Sequence, residues 1–270
     1  GGATGWGEVD AYDAPEHAHE TVGTAWEILA GHAIPLLLGH TFESPRDVAR
    51  ALRRIQGWPA TRAGAEEAAW DLAARRAGEP LAKWFGASAD PVPVGVTLGI
   101  EAGTEALLAR ASAAAEAGYQ RFKVKIRPGW DLEPVQALRG AFPHLAVWAD
   151  AQGGYDDPLD PIWKGLSKLG VAGIEQPFRR EQWVEHRILQ NQVEVPVALG
   201  DSITGLDTLR TAIELDACGA VNLKVSRVGG PTEAIRVLRA ARETSIPVWC
   251  GGVAETDVGR ANRLALAGRP

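Results

Sequence analysis

From residue 91 onward the apolar positions of the chain switch repeatedly between two periods. Short apolar runs rich in β-branched residues predict strands at Val92–Ile100, Arg121–Ile126, Leu145–Asp150, Ala172–Glu175, Val195–Leu199, Ala220–Lys224 and Pro247–Cys250. Between and after them, apolar residues recur at helical spacing. Those stretches predict helices over Glu105–Ala117, Leu132–Ala141, Asp157–Leu169, Arg180–Asn191, Thr204–Leu215, Pro231–Thr244 and Val258–Ala267. Strands alternating with helices of this length imply βαβ units and a parallel sheet. Seven strands are visible, one fewer than a closed eight-stranded barrel requires.

Residues 1–90 have a different rhythm. Gly5-Trp6-Gly7-Glu8-Val9 reads as the last strand of a hairpin. From His17 to Leu38 the positions Val22, Ala25, Trp26, Leu29, Ile34 and Leu37 follow a helical period. Ser44-Pro45 reads as an N-cap followed by a first-turn proline. Thr61 to Gly78 is Ala-rich and periodic, Gly78 and Pro80 end it, and a short helix covers Leu81–Phe85. The chain therefore divides into a mostly helical unit over 1–90 and a (β/α) unit over 91–270. The pairs Glu66-Glu67 and Asp156-Asp157 read as ordinary surface and helix-start charges.

Composition narrows the function classes. The 270 residues are 46% hydrophobic, enough for a sizeable core, and carry a formal charge of -6. No basic stripe points to nucleic acid. No apolar run approaches the roughly 20 residues of a membrane span. Cys218 and Cys250 lack metal-type spacing and read as buried thiols of a cytoplasmic protein. The six histidines are scattered and read as surface residues, while the ten tryptophans read as packing. The chain opens on Gly1-Gly2 without a Met, so an upstream segment is expected.

One regularity carries chemistry. Lys125, Asp150, Glu175, Asp201 and Lys224 follow one another at steps of 25, 25, 26 and 23 residues, each at the end of a strand. In a parallel barrel those ends converge on the catalytic face. Lys123 and Lys125 are two apart, so both point to one side of their strand. Strands two and six lie opposite each other in an eight-membered ring, which sets lysines on both sides of an arc of carboxylates. Taken singly, a Lys or Asp at a strand end is more often a solvated rim residue; the joint pattern carries the argument. Three carboxylates on adjacent tips suit a hard divalent cation such as Mg2+. Such a cation stabilises an enolate formed by removing a proton beside a carboxylate. A lysine whose pKa is lowered by the cation could serve as base.

These residues resemble the enolase superfamily, in its muconate-lactonizing subgroup, with the o-succinylbenzoate synthase / N-acylamino acid racemase family as the nearest likeness. Gly5-Trp6-Gly7-Glu8 and Ala68-Ala69-Trp70-Asp71-Leu72 resemble its capping domain. Lys123-Val124-Lys125 matches a Lys-x-Lys motif, and the resemblance makes Lys125 a base. Asp150-Ala151-Gln152 and Glu175-Gln176-Pro177 match two metal-ligand motifs, and Asn222-Leu223-Lys224 carries the opposite lysine. Trp249-Cys250-Gly251-Gly252, with Glu255 and Gly259-Arg260-Ala261, matches the strand that borders the substrate. Two departures stand out. Gly200 occupies the usual third ligand position, with Asp201 one residue later, and Val253 stands where Met is usual.

The resemblance implies a TIM-type barrel of the enolase kind, with an N-terminal α+β capping domain and both ends truncated. It implies Mg2+ (or Mn2+), with Asp150 and Glu175 as ligands and Asp201 as an uncertain third. Lys125 and Lys224 become the acid/base pair, supported by Lys123, and Gly251, Gly252 and Glu255 become substrate contacts. The expected partner is a small carboxylate substrate, and the expected assembly a homo-oligomer. The expected activity is o-succinylbenzoate synthase, N-acylamino acid racemase, or both. Cycloisomerase, dipeptide epimerase and a relative with an impaired metal site are the alternatives.

Overall fold

A computed structural model describes residues 2–16, 18–88 and 90–269, so His17 lies outside the described residues. The chain forms two compact units. One comprises residues 93–203 and 207–222; the other comprises residues 1–92, 204–206 and 223–270.

The first of these units contains β1 (Val96–Leu98), α6 (Thr104–Glu116), β2 (Arg121–Lys125) and α7 (Leu132–Ala141). It continues through β3 (Ala146–Asp150), α8 (Pro161–Lys168), β4 (Gly173–Glu175), α9 (Trp183–Gln190), β5 (Val197–Leu199) and α10 (Leu206–Glu214). β6 (Ala220–Lys224) follows, and the strands of the chain lie in the sheet in chain order, β1 through β7 (Val248–Gly251). Pairing from β1 to β6 is parallel. The strands are shorter than the apolar runs suggest. Pro91, Pro93 and Pro196 carry no N–H for a ladder, so β1 starts at Val96 and β5 at Val197. Likewise α8 starts late, at Pro161, where the Asp160 carboxylate accepts from the Ile162 N–H at 2.9 Å.

Two-residue alternation organises the sheet. Phe122, Val124, Val147, Ala149, Ile174 and Val197 are fully buried. Between them stand Arg121, Lys123 and Lys125, each half-buried. The register sets Lys125 level with Asp150, and Asp150 level with Glu175.

The other unit holds α1 (Val22–Ile28), a π-helical turn at Leu29–Ala33, α2 (Ile34–Leu37), α3 (Pro45–Leu52), α4 (Pro59–Ala77) and α5 (Leu81–Phe85). It also holds α11 (Val225–Val228), α12 (Pro231–Glu243), β7 and α13 (Asp257–Ala267). The Ser44 cap is present, closed into a capping box with Asp47. Gly78 takes the left-handed backbone that ends α4, with φ 67°. The segment Gly5–Val9, expected as a strand, is not one. Its N–H groups go to side chains of α4 instead: Trp6 to Asp71 at 2.8 Å and Glu8 to Glu67 at 3.3 Å. Gly5 and Gly7 lie so close to α4 that an added Cβ would sit 2.1 Å from the Ala68 oxygen and 2.0 Å from the Gly64 oxygen.

Glu66 and Glu67 correct the reading of surface charges: both are buried. Glu66 Oε1 accepts from Trp70 Nε1 at 2.9 Å and from the Thr232 N–H at 2.6 Å, at the start of α12. Burial pushes the Glu67 carboxyl up to about 8, and the nearby Glu66 adds to it. The N-terminus of α4 is satisfied from a distance, since Glu20 accepts from Ala60 N, Thr61 N and the Thr61 hydroxyl at 2.8, 2.8 and 2.6 Å. Trp70 and Trp163 are packed inside, as expected, but Trp6 and Trp26 are exposed.

Candidate active site

The C-terminal ends of β2, β3 and β4 bring three charges together. Lys123 Nζ lies 2.9 Å from Asp150 Oδ2, 3.0 Å from Glu175 Oε2 and 3.1 Å from Glu175 Oε1. Asp150 and Glu175 are both buried. Burial alone would lower the Lys123 pKa, but the Glu175 and Asp150 carboxylates outweigh it and hold the amine above its ordinary value. Lys123 is thus a fixed ammonium rather than a proton acceptor. Asn222, on β6, adds a neutral donor: its Nδ2 lies 2.6 Å from Glu175 Oε1.

Immediately past each acid the backbone turns through left-handed conformations, at Gln152 (φ 49°) and Gln176 (φ 41°). Such conformations cost energy in a non-glycine residue and persist where the surroundings enforce them. Gln176 shows the enforcement. Its Oε1 accepts from the N–H groups of Gly200, Asp201 and Ser202 at 3.1, 2.8 and 3.2 Å. Its Nε2 donates to Phe178 O and Ser202 Oγ at 3.0 and 2.8 Å. This amide fixes the end of β5 beside the end of β4.

That clamp decides what position 200 can do. A Cβ built on Gly200 lies 3.3 Å from Glu175 Oε1 and 3.4 Å from Asn222 Cβ. A side chain there would enter the space between the two residues. Asp201 is one residue on, and a one-residue step along extended backbone reverses side-chain direction. Among the described residues no group of three or more His, Cys, Asp or Glu side chains is placed to hold a metal ion, so Asp201 does not complete a trio with Asp150 and Glu175.

The donor set still fits a hard divalent cation. Asp150 and Glu175 offer carboxylate oxygens of the kind Mg2+ takes. Asn222 is 1% exposed, and its Oδ1 is a buried oxygen without a hydrogen-bond partner.

Lys125 ends β2, half-buried. Lys224 ends β6 and immediately precedes α11. Gly251 closes β7, and Gly252 follows it where a Cβ would meet Arg263 Nη1 at 1.6 Å. Glu255 Oε2 accepts from Arg263 Nη1 at 3.0 Å and from the Val253 N–H at 3.1 Å, so this acid is engaged within its own loop and helix. The sequence reading gave no structural role to Gln176 and none to Asn222, although Asn222 lies two residues before Lys224 and so shares its side of β6. His186 corrects the reading of surface histidines. It is fully buried, its Nδ1 lies 2.7 Å from Gln182 O, its ring packs on Phe178, and burial pushes its pKa down to about 4.

A parallel α/β sheet with acids and lysines on its strand ends, in a chain that opens with a helical segment, has the features of a class of proton-transfer enzymes. Residues 106–268 match the enolase C-terminal domain-like family, and residues 1–86 match the mandelate racemase / muconate lactonizing enzyme N-terminal domain. All of this chain aligns with 72% of the o-succinylbenzoate synthase of Bacillus subtilis (strain 168), at 40% identity. All of it aligns with 73% of the N-succinylamino acid racemase of Thermus thermophilus, at 38% identity. A crystal structure of an enolase superfamily member from Enterococcus faecalis V583 superposes with a TM-score of 0.92 at 38% identity, over 98% of this chain and 72% of that one. The chain belongs to the mandelate racemase / muconate lactonizing enzyme family of the enolase superfamily.

Proposed function

We propose that this protein abstracts the α-proton of a carboxylate substrate, acting as an o-succinylbenzoate synthase, an N-succinylamino acid racemase, or both. The carrying observation is the buried Asp150–Lys123–Glu175 cluster, level in register with Lys125. The whole-length identity to a synthase and a racemase supports both activities. Asp150 and Glu175 would hold a divalent cation, Mg2+ or Mn2+. Bound there, it would supply the positive charge that stabilises an enolate.

The rest falls to this chain's own side chains. Lys125 takes the α-proton, and Lys224 returns a proton or holds charge on the other face of the substrate. The Lys123 ammonium holds both acids in place by direct contact. Gly251, Gly252 and Glu255 border the substrate. Cys218 and Cys250 are free thiols, both pushed up to about 12 by burial, and a cytoplasmic setting is part of the proposal. Among the described residues no helix is long and apolar enough to cross a membrane. A homo-oligomer is the expected assembly, and sedimentation would read it.

The experiment is incubation with an N-succinyl amino acid and Mg2+ in D2O, following the α-proton by NMR. Metal-dependent exchange is expected, and Lys125→Ala is expected to slow it by at least about 100-fold, the lower range for loss of a general base. Full exchange in both Lys125→Ala and Lys224→Ala would overturn the assignment. Gly200 favours one second reading, a relative with a weakened metal site. No exchange in the natural chain, restored by Gly200→Asp, would support that reading.

A further inference from the structure

We infer that Asn222 supplies, through Oδ1, the third protein oxygen of the metal site, in place of the side chain that Gly200 lacks. The inference rests on the divalent-cation reading of Asp150 and Glu175 given above.

Three observations converge on it. Two carboxylates are a sparse set for a hard cation, which takes about six oxygen donors, some of them water. Among the described residues no third acid, His or Cys joins them. Position 200, whose Cβ would point between Glu175 Oε1 and Asn222 Cβ, holds a glycine. The Asn222 side chain borders that position, its Cβ 3.4 Å from a Cβ built on Gly200. Its Nδ2 is anchored on Glu175 Oε1 at 2.6 Å, while its Oδ1 is buried without a hydrogen-bond partner. A buried, unsatisfied amide oxygen is costly, and a coordinated cation removes the cost. The amide thereby does two things at once: one end steadies a carboxylate ligand and the other presents an oxygen. Replacing a carboxylate by a neutral amide lowers the ligand charge from -3 to -2, which implies weaker and faster-exchanging metal than a three-acid site holds.

A double-mutant cycle on Mn2+ binding tests the inference, with free Mn2+ counted by electron paramagnetic resonance and folding checked by circular dichroism. Asn222→Leu is expected to weaken binding at least tenfold in the natural chain. In a Gly200→Asp background, where a carboxylate fills position 200, the same change is expected to cost less than twofold. If Asn222 only steadies Glu175, the loss is equal in both backgrounds, and the inference is wrong; it is also wrong if Asn222→Leu costs nothing in either.

The tight contacts around position 200 threaten the folding of Gly200→Asp, so a second measurement uses the natural chain alone. The chain has three asparagines, Asn191, Asn222 and Asn262. With 15N-labelled asparagine, Mg2+ is expected to shift one side-chain amide signal, the one lost in Asn222→Leu. An unmoved signal overturns the inference. Should neither the natural chain nor folded Gly200→Asp bind Mn2+, the metal reading itself falls and takes the inference with it. Binding with equal losses in the cycle removes the inference alone.

Discussion

Asp150 and Glu175 in one unit, and Glu66 and Glu67 in the other, are neighbouring acids that the fold removes from water almost completely. They are handled by opposite means. The first pair encloses an ammonium, Lys123, at 2.9 and 3.0 Å. The second pair is hydrogen-bonded by neutral donors, the Trp70 indole, the Thr232 N–H and the Glu8 N–H, while Arg53 and Arg62 act on Glu66 through charge. Hydrogen bonds from neutral groups do not offset the desolvation of two charges, so Glu67 holds its proton up to about pH 8. Where a cation is enclosed, the carboxylates are drawn onto one ammonium. Where neutral donors supply the hydrogen bonds, the acids serve as acceptors that tie α4 to the N-terminal segment and to α12. Burial of acid pairs therefore does not distinguish a reactive site from a structural joint, whereas the charge of their partners does.

Removing the ammonium breaks that contrast most severely. Lys123→Met removes the ammonium held between two buried carboxylates, and losing one partner of a buried pair costs about 3–5 kcal/mol. Urea unfolding without added metal is expected to show this loss, and added Mg2+ to recover part of it. A cost below about 1 kcal/mol would mean that water, not Lys123, compensates the acids.

The second test concerns Glu67. Its carboxyl titrates near 8 in the folded protein against an ordinary value of 4.5. The folded state therefore holds a proton that the unfolded chain has released. Stability falls as pH rises between about 4.5 and 8, by an amount on the order of a few kcal/mol. Glu67→Gln keeps the acceptor without the charge. It is expected to match the natural chain at pH 4 and to exceed it at pH 9. Parallel pH profiles for the two proteins would show that Glu67 is not the group responsible.

Smaller effects sharpen the structural side. Glu66→Leu strips the acceptor from Trp70 Nε1 and the Thr232 N–H, at about 1–3 kcal/mol for each donor left unsatisfied. Glu66→Gln, which retains the oxygen, is expected to lose less. Ser44→Ala opens the capping box of α3 and is expected to cost about 1 kcal/mol. Thermal unfolding reads both, and a larger loss for Ser44 than for Glu66 would reverse the ranking of local against long-range contacts.

The residues legible from the sequence were those whose signal is local. Strand ends at Lys125, Asp150, Glu175 and Lys224 announce themselves because two-residue alternation stops there and a turn begins. Gly78 and Ser44 mark helix ends by chemistry confined to a few neighbours. Three features could not be read in this way. Gln176 looks like a turn residue until its amide is seen bound to three N–H groups some 24 to 26 residues on. His186 looks like a polar residue of an amphipathic helix until Phe178 and Gln182 enclose it. Gly5–Val9 looks like a strand, yet its partner is a helix.

The sequence by itself determined the alternation of strands and helices, the order of charged residues along the strand ends, and the family, because periodicity and motif spacing are properties of neighbouring positions. Only the tertiary structure decided which acids are buried and which partners they meet. Glu66 meets Thr232 across 166 residues, and Lys123 meets Glu175 across 52. The ionisation of a buried acid depends on which partners the fold brings within about 3 Å, and no local pattern contains that distance.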